Sequence, residues 1–237
     1  MKSKVLSVEL DKAKLPRHIA FIMDGNGRWA SKRLLPRKAG HKEGVKTMRS
    51  VISECVKMGI QVVSVFAFST ENKTRPKDEV DALMQLIRDN IYDMLKDLIA
   101  EGVKVTFMGD LSFFADDIRA SLDRVLRESA GGTKAIVNIG LNYGGKDDIL
   151  QAVNRCVQSG KPVTAEEFER YLYTAGLPDP DLIVRTSGEC RLSNFMLYQA
   201  AYSEIIVTKT LWPDFDKKEL ISVLSEYAQR DRRYGKV

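Results

Sequence analysis

The sequence predicts an α/β protein, a single domain built on a six-stranded, mainly parallel sheet flanked by helices. Three observations point to it. Short apolar runs alternate with helical patterns along almost the whole chain, the order that builds right-handed βαβ units. No internal repeat, low-complexity block or Gly/Ser linker divides the 237 residues, a length that suits one large domain or two small ones. A hydrophobic content of 44% against 29% charged residues is enough for a sizeable core.

Residues 1–16 are charged and lack the apolar core of a signal peptide, so a loose leader or short helix is expected. The first strand is the run His18-Ile19-Ala20-Phe21-Ile22-Met23, apolar at five of six positions and set between Pro16 and two glycines. It ends at Asp24. A helix is expected from Gly40 to Met58, with Val45, Met48, Val51, Ile52 and Val56 on one face and Gly59 as its stop. Val62–Phe68, β-branched and aromatic, is the second strand, and Ser69–Lys77 a polar loop closed by Pro76. A long helix, 78–100, carries apolar residues from Val80 to Leu98 in steps of three and four. The third strand is 103–108, a helix follows over 113–129, and 134–141 is the fourth strand. Helices are expected over 147–158 and 165–174, strands over 181–185 and 205–208, and a last helix over 216–229 before a basic tail, 230–237.

The net charge of +5 and pI near 9.0 suit an anionic small substrate, a membrane surface or nucleic acid. Cys55, Cys156 and Cys190 are far apart. They form neither a disulfide framework nor a zinc motif, as in a reducing cytoplasm. No apolar run approaches the ~20 residues of a membrane span. The two histidines, His18 and His41, support no Ser-His-Asp assembly, and neither a P-loop nor a dinucleotide fingerprint occurs. A nucleic-acid surface is disfavoured by the lack of aromatics interleaved on a basic face.

In parallel sheets, ligands sit beyond the C-terminal ends of the strands. Three polar clusters fall there: Asp24 after strand one, Ser69-Thr70-Glu71-Asn72 after strand two and Arg185-Thr186-Ser187-Gly188-Glu189 after strand five. The turn Gly25-Asn26-Gly27-Arg28 leads into a helix, so backbone N–H groups, a helix end and a guanidinium are available to a phosphate. Asp24 fits such a site if a cation such as Mg²⁺ lies between carboxylate and phosphate. On this stretch alone, an ordinary Asp-Gly or Asn-Gly turn is an equal reading. Arg37 and His41 are within reach of a phosphate, though on their own a solvated basic loop is the commoner outcome. Arg185 with Arg191-Leu192-Ser193 offers a second phosphate seat. Glu204 is either a second carboxylate on the cation or a solvated residue at a strand start. The apolar face of helix 78–100 is core for most of its length, yet the helix is long enough to wall an elongated apolar cavity.

These residues resemble the cis-prenyltransferases, and among them the bacterial undecaprenyl diphosphate synthases. The resemblance rests on His18–Trp29, Gly40-His41, Phe66–Asn72, Arg75-Pro76, Asn142-Tyr143-Gly144-Gly145, Arg185–Glu189, Arg191–Phe195 and Leu211-Trp212-Pro213-Asp214-Phe215. It covers nearly the whole chain, as one cis-prenyltransferase domain over 1–237.

The resemblance implies a Mg²⁺-dependent transferase that condenses isopentenyl diphosphate onto an allylic diphosphate, typically farnesyl diphosphate, each new double bond being cis. The allylic diphosphate would sit on Gly25, Asn26, Gly27 and Arg28, with Arg37 and His41 as further donors. The isopentenyl diphosphate would be held by Arg185, Arg191, Leu192 and Ser193. Asp24 and Glu204 match the family's Mg²⁺ positions. Trp29 and the segment Ser69, Thr70, Glu71, Asn72, Lys73 and Arg75 complete the implied substrate contacts, and the chain grows into a hydrophobic tunnel beside helix 78–100, with Trp29, Phe66 and Phe68 at its mouth. The family assigns proton removal to the position of Asn72, or to Asp24 and Ser69 with a water or the diphosphate itself. A neutral amide is a poor base, which favours a positioning role for Asn72.

The bacterial pattern usually reads Glu-Asn-Trp-x-Arg-Pro. Here Lys73 replaces the Trp, which leaves the aromatic contact with substrate and the product length open. The resemblance further implies a homodimer, no nucleic-acid partner, and a cytoplasmic enzyme of isoprenoid and cell-wall lipid synthesis, peripheral to the membrane. A short-chain cis-prenyl diphosphate synthase is the first alternative. A non-catalytic partner subunit is the second, disfavoured because Asp24, Arg185 and Arg191 are all present.

Overall fold

A computed structural model describes residues 11–158, 160 and 162–230. Most of the expected leader and nearly all of the basic tail therefore lie outside the described residues. The strands are β1 His18–Ile22, β2 Val62–Ser69, β3 Val103–Met108, β4 Ala135–Tyr143, β5 Leu182–Arg185 and β6 Glu204–Val207. The helices are α1 Asn26–Lys32, α2 Arg37–Met58, α3 Lys77–Ala100, α4 Asp116–Ser129, α5 Gly145–Gln158, α6 Ala165–Glu169 and α7 Lys217–Tyr227.

The six strands form one sheet in the order β3-β4-β2-β1-β5-β6, and every pair is parallel. Strand β1 lies inside the sheet and is buried at all five positions, which explains its near-continuous apolar run. Side chains alternate between two faces. Ile19 and Phe21 join the larger core with residues of α2, α3, α4 and α7, while Ala20 and Ile22 join a smaller one with Tyr143, Phe195 and Met196. Phe21 meets Trp212 and Phe215 at ring separations of 5.8 and 6.0 Å, tying the segment before α7 to the sheet centre.

Three boundaries differ from expectation by three residues or more, each for a local reason. Helix α2 begins at Arg37, three residues early, with Pro36 at its N-cap; its first two residues, Arg37 and Lys38, are charged and exposed, so no apolar periodicity marks them. The segment expected to open the fourth helix at residue 113 is a separate 3₁₀ turn, Leu111–Phe113, capped by Asp110. The helix expected over 165–174 stops at Glu169. It starts with a capping box between Thr164 and Glu167 but continues as turns.

Helices α1 and α2 approach closely because Gly40 is there. A Cβ on Gly40 would run into the Asn26 carbonyl oxygen. Gly25, with φ +111°, makes the turn from β1 into α1, and a Cβ there would lie 3.0 Å from Leu211 Cα. Both positions demand glycine, one for space and one for its backbone angle as well.

Candidate active site

A cavity of about 700 Å³ lies beyond the C-terminal ends of β1, β2 and β5 and extends between the sheet, α2 and α3. One end is polar, lined by Asp24, Ser69, Asn72, Arg75, Arg185 and Ser193. The remainder is apolar, lined by residues such as Met48, Leu83, Ile87, Ile91, Met94 and Leu141. The alternation of α3 thus serves both the core and this cavity wall.

Arg185 is the buried anchor of the polar end, only 4% exposed. Its Nη2 donates to Asp24 Oδ2 at 3.0 Å, and its Nη1 to Ser193 Oγ at 2.6 Å and to the Arg191 carbonyl. Arg28 adds an ion pair to Asp24 Oδ2 at 3.4 Å and donates to the Ser187 carbonyl at 3.1 Å and to the Ser187 hydroxyl. Burial by itself would raise the pKa of Asp24. The Arg185 hydrogen bond and charge, then Arg28, overcome it and hold the carboxyl below its ordinary range. Arg191 is exposed and pairs with Glu189 at 2.6 Å, and Glu189 lies 3.5 Å from Arg28.

A second cationic group stands at the junction of α2 and α3. Arg75, Arg37 and His41 converge on one oxygen, Glu79 Oε1, at 2.8, 3.3 and 3.8 Å. Arg37 and His41 reach it together because they are one helical turn apart on α2. The 3.8 Å separation is too long for a hydrogen bond, and His41 Nε2 is buried without a hydrogen-bond partner. Burial lowers the His41 pKa, and Arg75 and Arg37 lower it further against the opposing pull of Glu79. Arg185 Nε is likewise buried without a partner. Asn26 Oδ1 is a third such atom. Unmet polar groups of this kind are rare in folded proteins, and here three belong to residues lining one cavity.

The segment after β2 is a 3₁₀ turn, Thr70–Thr74, closed by a capping box in which the Asn72 side chain accepts from the Ser69 backbone N–H at 3.1 Å. Asn72 is therefore tied to backbone. Glu71 accepts from Asn194 at 2.7 Å. Its carboxyl is raised by burial but lowered more by the Asn194 amide and neighbouring donors, and ends below its usual range. Thr70 bonds Asp147 at 3.0 Å.

Several expected residues lie elsewhere. Lys73 holds its ammonium 4.7 Å from the Phe113 ring centroid and is not among the residues lining the cavity. Trp29, expected at the cavity mouth, donates from its indole to Asp214 at 2.7 Å and is covered by Arg33 at 4.1 Å. Leu192 packs against the smaller core. Glu204 opens β6, level with Leu182 at the start of β5, about 10 Å along the strands from Arg185. It pairs with Arg230 at 2.6 Å, so this chain does not bring it to Asp24.

Sequence reasoning missed Glu79, whose place in the first turn of α3 resembles an ordinary helix-dipole acid. It also gave no role to Asn194, which carried a signal only as a neighbour of the arginine motif, and placed Ser187 in the polar cluster after strand five without assigning it a contact.

A Mg²⁺ ion that bridges substrate phosphates needs one or two protein carboxylates, with phosphate oxygens and water as its other ligands. Asp24, 30% exposed at its side chain, fits that role. Among the described residues, no group of three or more His, Cys, Asp or Glu is arranged to hold a metal without substrate.

A family model described as "Putative undecaprenyl diphosphate synthase" matches residues 22–235. An isoprenyl transferase of Heliobacterium mobile is 44% identical over 99% of this chain and 93% of that protein. One from Geobacillus kaustophilus is 44% identical over 98% of this chain and 93% of its own length. Lavandulyl diphosphate synthase from Lavandula x intermedia, in complex with dimethylallyl diphosphate, superposes with a TM-score of 0.91 at 31% identity, covering 94% of this chain and 100% of that one. A probable undecaprenyl diphosphate synthase from Campylobacter jejuni gives a TM-score of 0.79 at 34% identity over 93% and 99% of the two chains.

Proposed function

The chain belongs to the undecaprenyl diphosphate synthase family of prenyltransferases, and from that premise we propose that it condenses isopentenyl diphosphate units onto an allylic diphosphate such as farnesyl diphosphate. Each new double bond is cis, and the product is a long-chain polyprenyl diphosphate of the undecaprenyl kind, precursor of a cell-wall lipid carrier. One observation carries this reading: two separate cationic groups flank the polar end of a single apolar cavity. Two diphosphates and one hydrocarbon chain need that arrangement.

In this reading the allylic diphosphate takes Gly25 and the first residues of α1, Asn26, Gly27 and Arg28, with the donors Arg37, His41 and Arg75. First-turn N–H groups of α1 are available because no side chain caps that helix. The isopentenyl diphosphate takes Arg185, Arg191 and Ser193. The leaving diphosphate gains negative charge as the allylic carbon becomes cationic, and guanidiniums already fixed by burial and hydrogen bonds stabilise it without reorganising. Mg²⁺, when bound through Asp24, supplies further neutralisation of diphosphate charge. Asn72, tied to the Ser69 backbone, holds its turn against the reacting carbons, and the proton leaves to Asp24, to Ser69 with water, or to the diphosphate. The hydrocarbon lies along Met48, Leu83, Ile87, Ile91 and Met94.

Leu150, Val153 and Val157 form an exposed stripe on α5, 60, 41 and 73% exposed, which supports a homodimer. No helix among the described residues is long and apolar enough to cross a membrane. A cytoplasmic enzyme touching the membrane peripherally fits that finding. The similarity to lavandulyl diphosphate synthase favours, as a second reading, a short product from the same site.

The test is purified protein with Mg²⁺, farnesyl diphosphate and radiolabelled isopentenyl diphosphate, with products separated by length, beside Asp24→Ala. A ladder ending near undecaprenyl length and lost in the variant supports the first reading. A single short product supports the second, and no incorporation overturns both.

A further inference from the structure

The turn between α1 and α2 has a surface that neither the fold nor the site explains. Residues 31–38, Ser-Lys-Arg-Leu-Leu-Pro-Arg-Lys, are all exposed. Leu34 is 96% exposed, more than any other large apolar residue described, and Leu35 is 43% exposed. Leu34 also takes a left-handed backbone, φ 55°, where an exposed turn ordinarily carries Gly or Asn. Around the two leucines stand Lys32, Arg33, Arg37 and Lys38, with no carboxylate in the eight residues. Lys32 and Lys38 form no ion pair among the described residues, whereas Arg33 is held by Asp214 and Arg37 by Glu79.

We propose that this turn is a membrane-docking tip: Leu34 and Leu35 enter the interface of an anionic bilayer while Lys32, Arg33 and Lys38 meet its headgroups. It deepens the membrane contact suggested above by assigning it to one surface. Two leucines ringed by cations match what a bilayer offers at its boundary, an apolar layer beneath a negative one. A protein partner has no need of a rim on which Lys32 and Lys38 stand without ion-pair partners among the described residues, and nucleic acid has no use for an exposed leucine pair. The tip also stands beside the cavity: Arg37, its last residue but one, reaches Glu79 at the start of α3, and His41 one turn later lines the cavity. A docked tip would set the cavity against the lipid that a polyprenyl product must enter.

The experiment is co-sedimentation of the full chain with vesicles of phosphatidylglycerol and phosphatidylcholine, and with phosphatidylcholine alone, at about 0.1 M salt. Binding is expected only to the anionic vesicles. Leu34→Ser with Leu35→Ser should weaken it roughly ten-fold or more, and Lys32→Gln with Lys38→Gln by about five-fold for each cation removed. In detergent, where docking is not needed, both double variants should keep the parental rate of isopentenyl incorporation and the parental oligomeric state. A third variant lacking 231–237 should retain the binding. The proposal is overturned if the parent binds no anionic vesicle, if the loop variants bind as the parent does, if removing 231–237 abolishes binding, or if the leucine variant loses binding only through a changed oligomeric state. Vesicle binding needs no catalysis, so its failure leaves the transferase reading standing.

Discussion

Arg185 and Asp24 are joined by a 3.0 Å hydrogen bond from Nη2 to Oδ2, the guanidinium almost fully buried and the carboxylate partly open to the cavity. The pair sets both ends of the site at once. It fixes the fork that faces Ser193, and it keeps Asp24 ionised at neutral pH. Replacing Arg185 by Lys keeps a charge but loses the planar fork. Arg185→Lys is expected to lower kcat/KM for isopentenyl diphosphate by about 10²–10³, the scale of losing one fixed donor at a developing charge, and steady-state kinetics with varied isopentenyl diphosphate will read it.

Glu79 occupies the position between Arg37, Arg75 and His41 that an anionic ligand would claim. Glu79→Gln removes the internal competitor while keeping the side chain's size. Inorganic pyrophosphate should bind the variant several-fold more tightly, a gain on the order of 1 kcal/mol, measured by titration calorimetry. Unchanged or weaker binding would show that Glu79 aligns the arginines rather than competing for them.

His18 is fully buried, with Nδ1 2.7 Å from the Pro178 carbonyl and Nε2 2.8 Å from Ser64 Oγ. Burial lowers its pKa from 6.5 to about 4, against smaller raising effects of Pro178 and Asp181. The unfolded chain therefore binds a proton that the folded chain refuses in that window. This contribution is complete above pH 6.5 and is lost as pH falls toward 4. About 2 kcal/mol of stability should disappear between about pH 7 and about pH 5, checked by urea unfolding at both values.

Gly40→Ala places a methyl group against the Asn26 carbonyl. Overpacking of this kind costs about 1–3 kcal/mol. The same shift moves α1 away from α2, so thermal stability and allylic diphosphate affinity should fall together, read by Tm and KM.

Much of this was legible in the sequence. All six strands were found because each is a short apolar run between polar turns, and a buried parallel sheet needs that pattern. Asp24, Ser69 and Arg185 were placed in one site by the rule that ligands gather at strand C-termini, and the fold brings them to one cavity. Glu204 was placed at a strand start from the sequence and assigned to the cation only through the family resemblance; the register with Leu182 sets it at the opposite end of the strands from Arg185. Glu79 was invisible because its role comes from α3 docking beside α2, a contact no local pattern records. The exposed Leu34 and Leu35 carried no signal in sequence, since two leucines between helices are as consistent with core as with surface.

The all-parallel sheet has a kinetic consequence. Parallel neighbours share no hairpin, and β1 must pair with β5, so the Asp24–Arg185 contact closes a separation of 161 residues. Such distant pairings are slow to form, because the loop-closure entropy is lost before the contacts return it. During synthesis, β1 and β2 leave the ribosome long before the strand that will flank β1 on its other side exists. Until β5 emerges, β1 presents an open apolar edge, the kind of surface that chaperones recognise and that aggregates. A chain stalled or cut before residue 185 would carry most of the cavity wall but only half of its ionic centre, so the site arises near the end of folding rather than in stages along it.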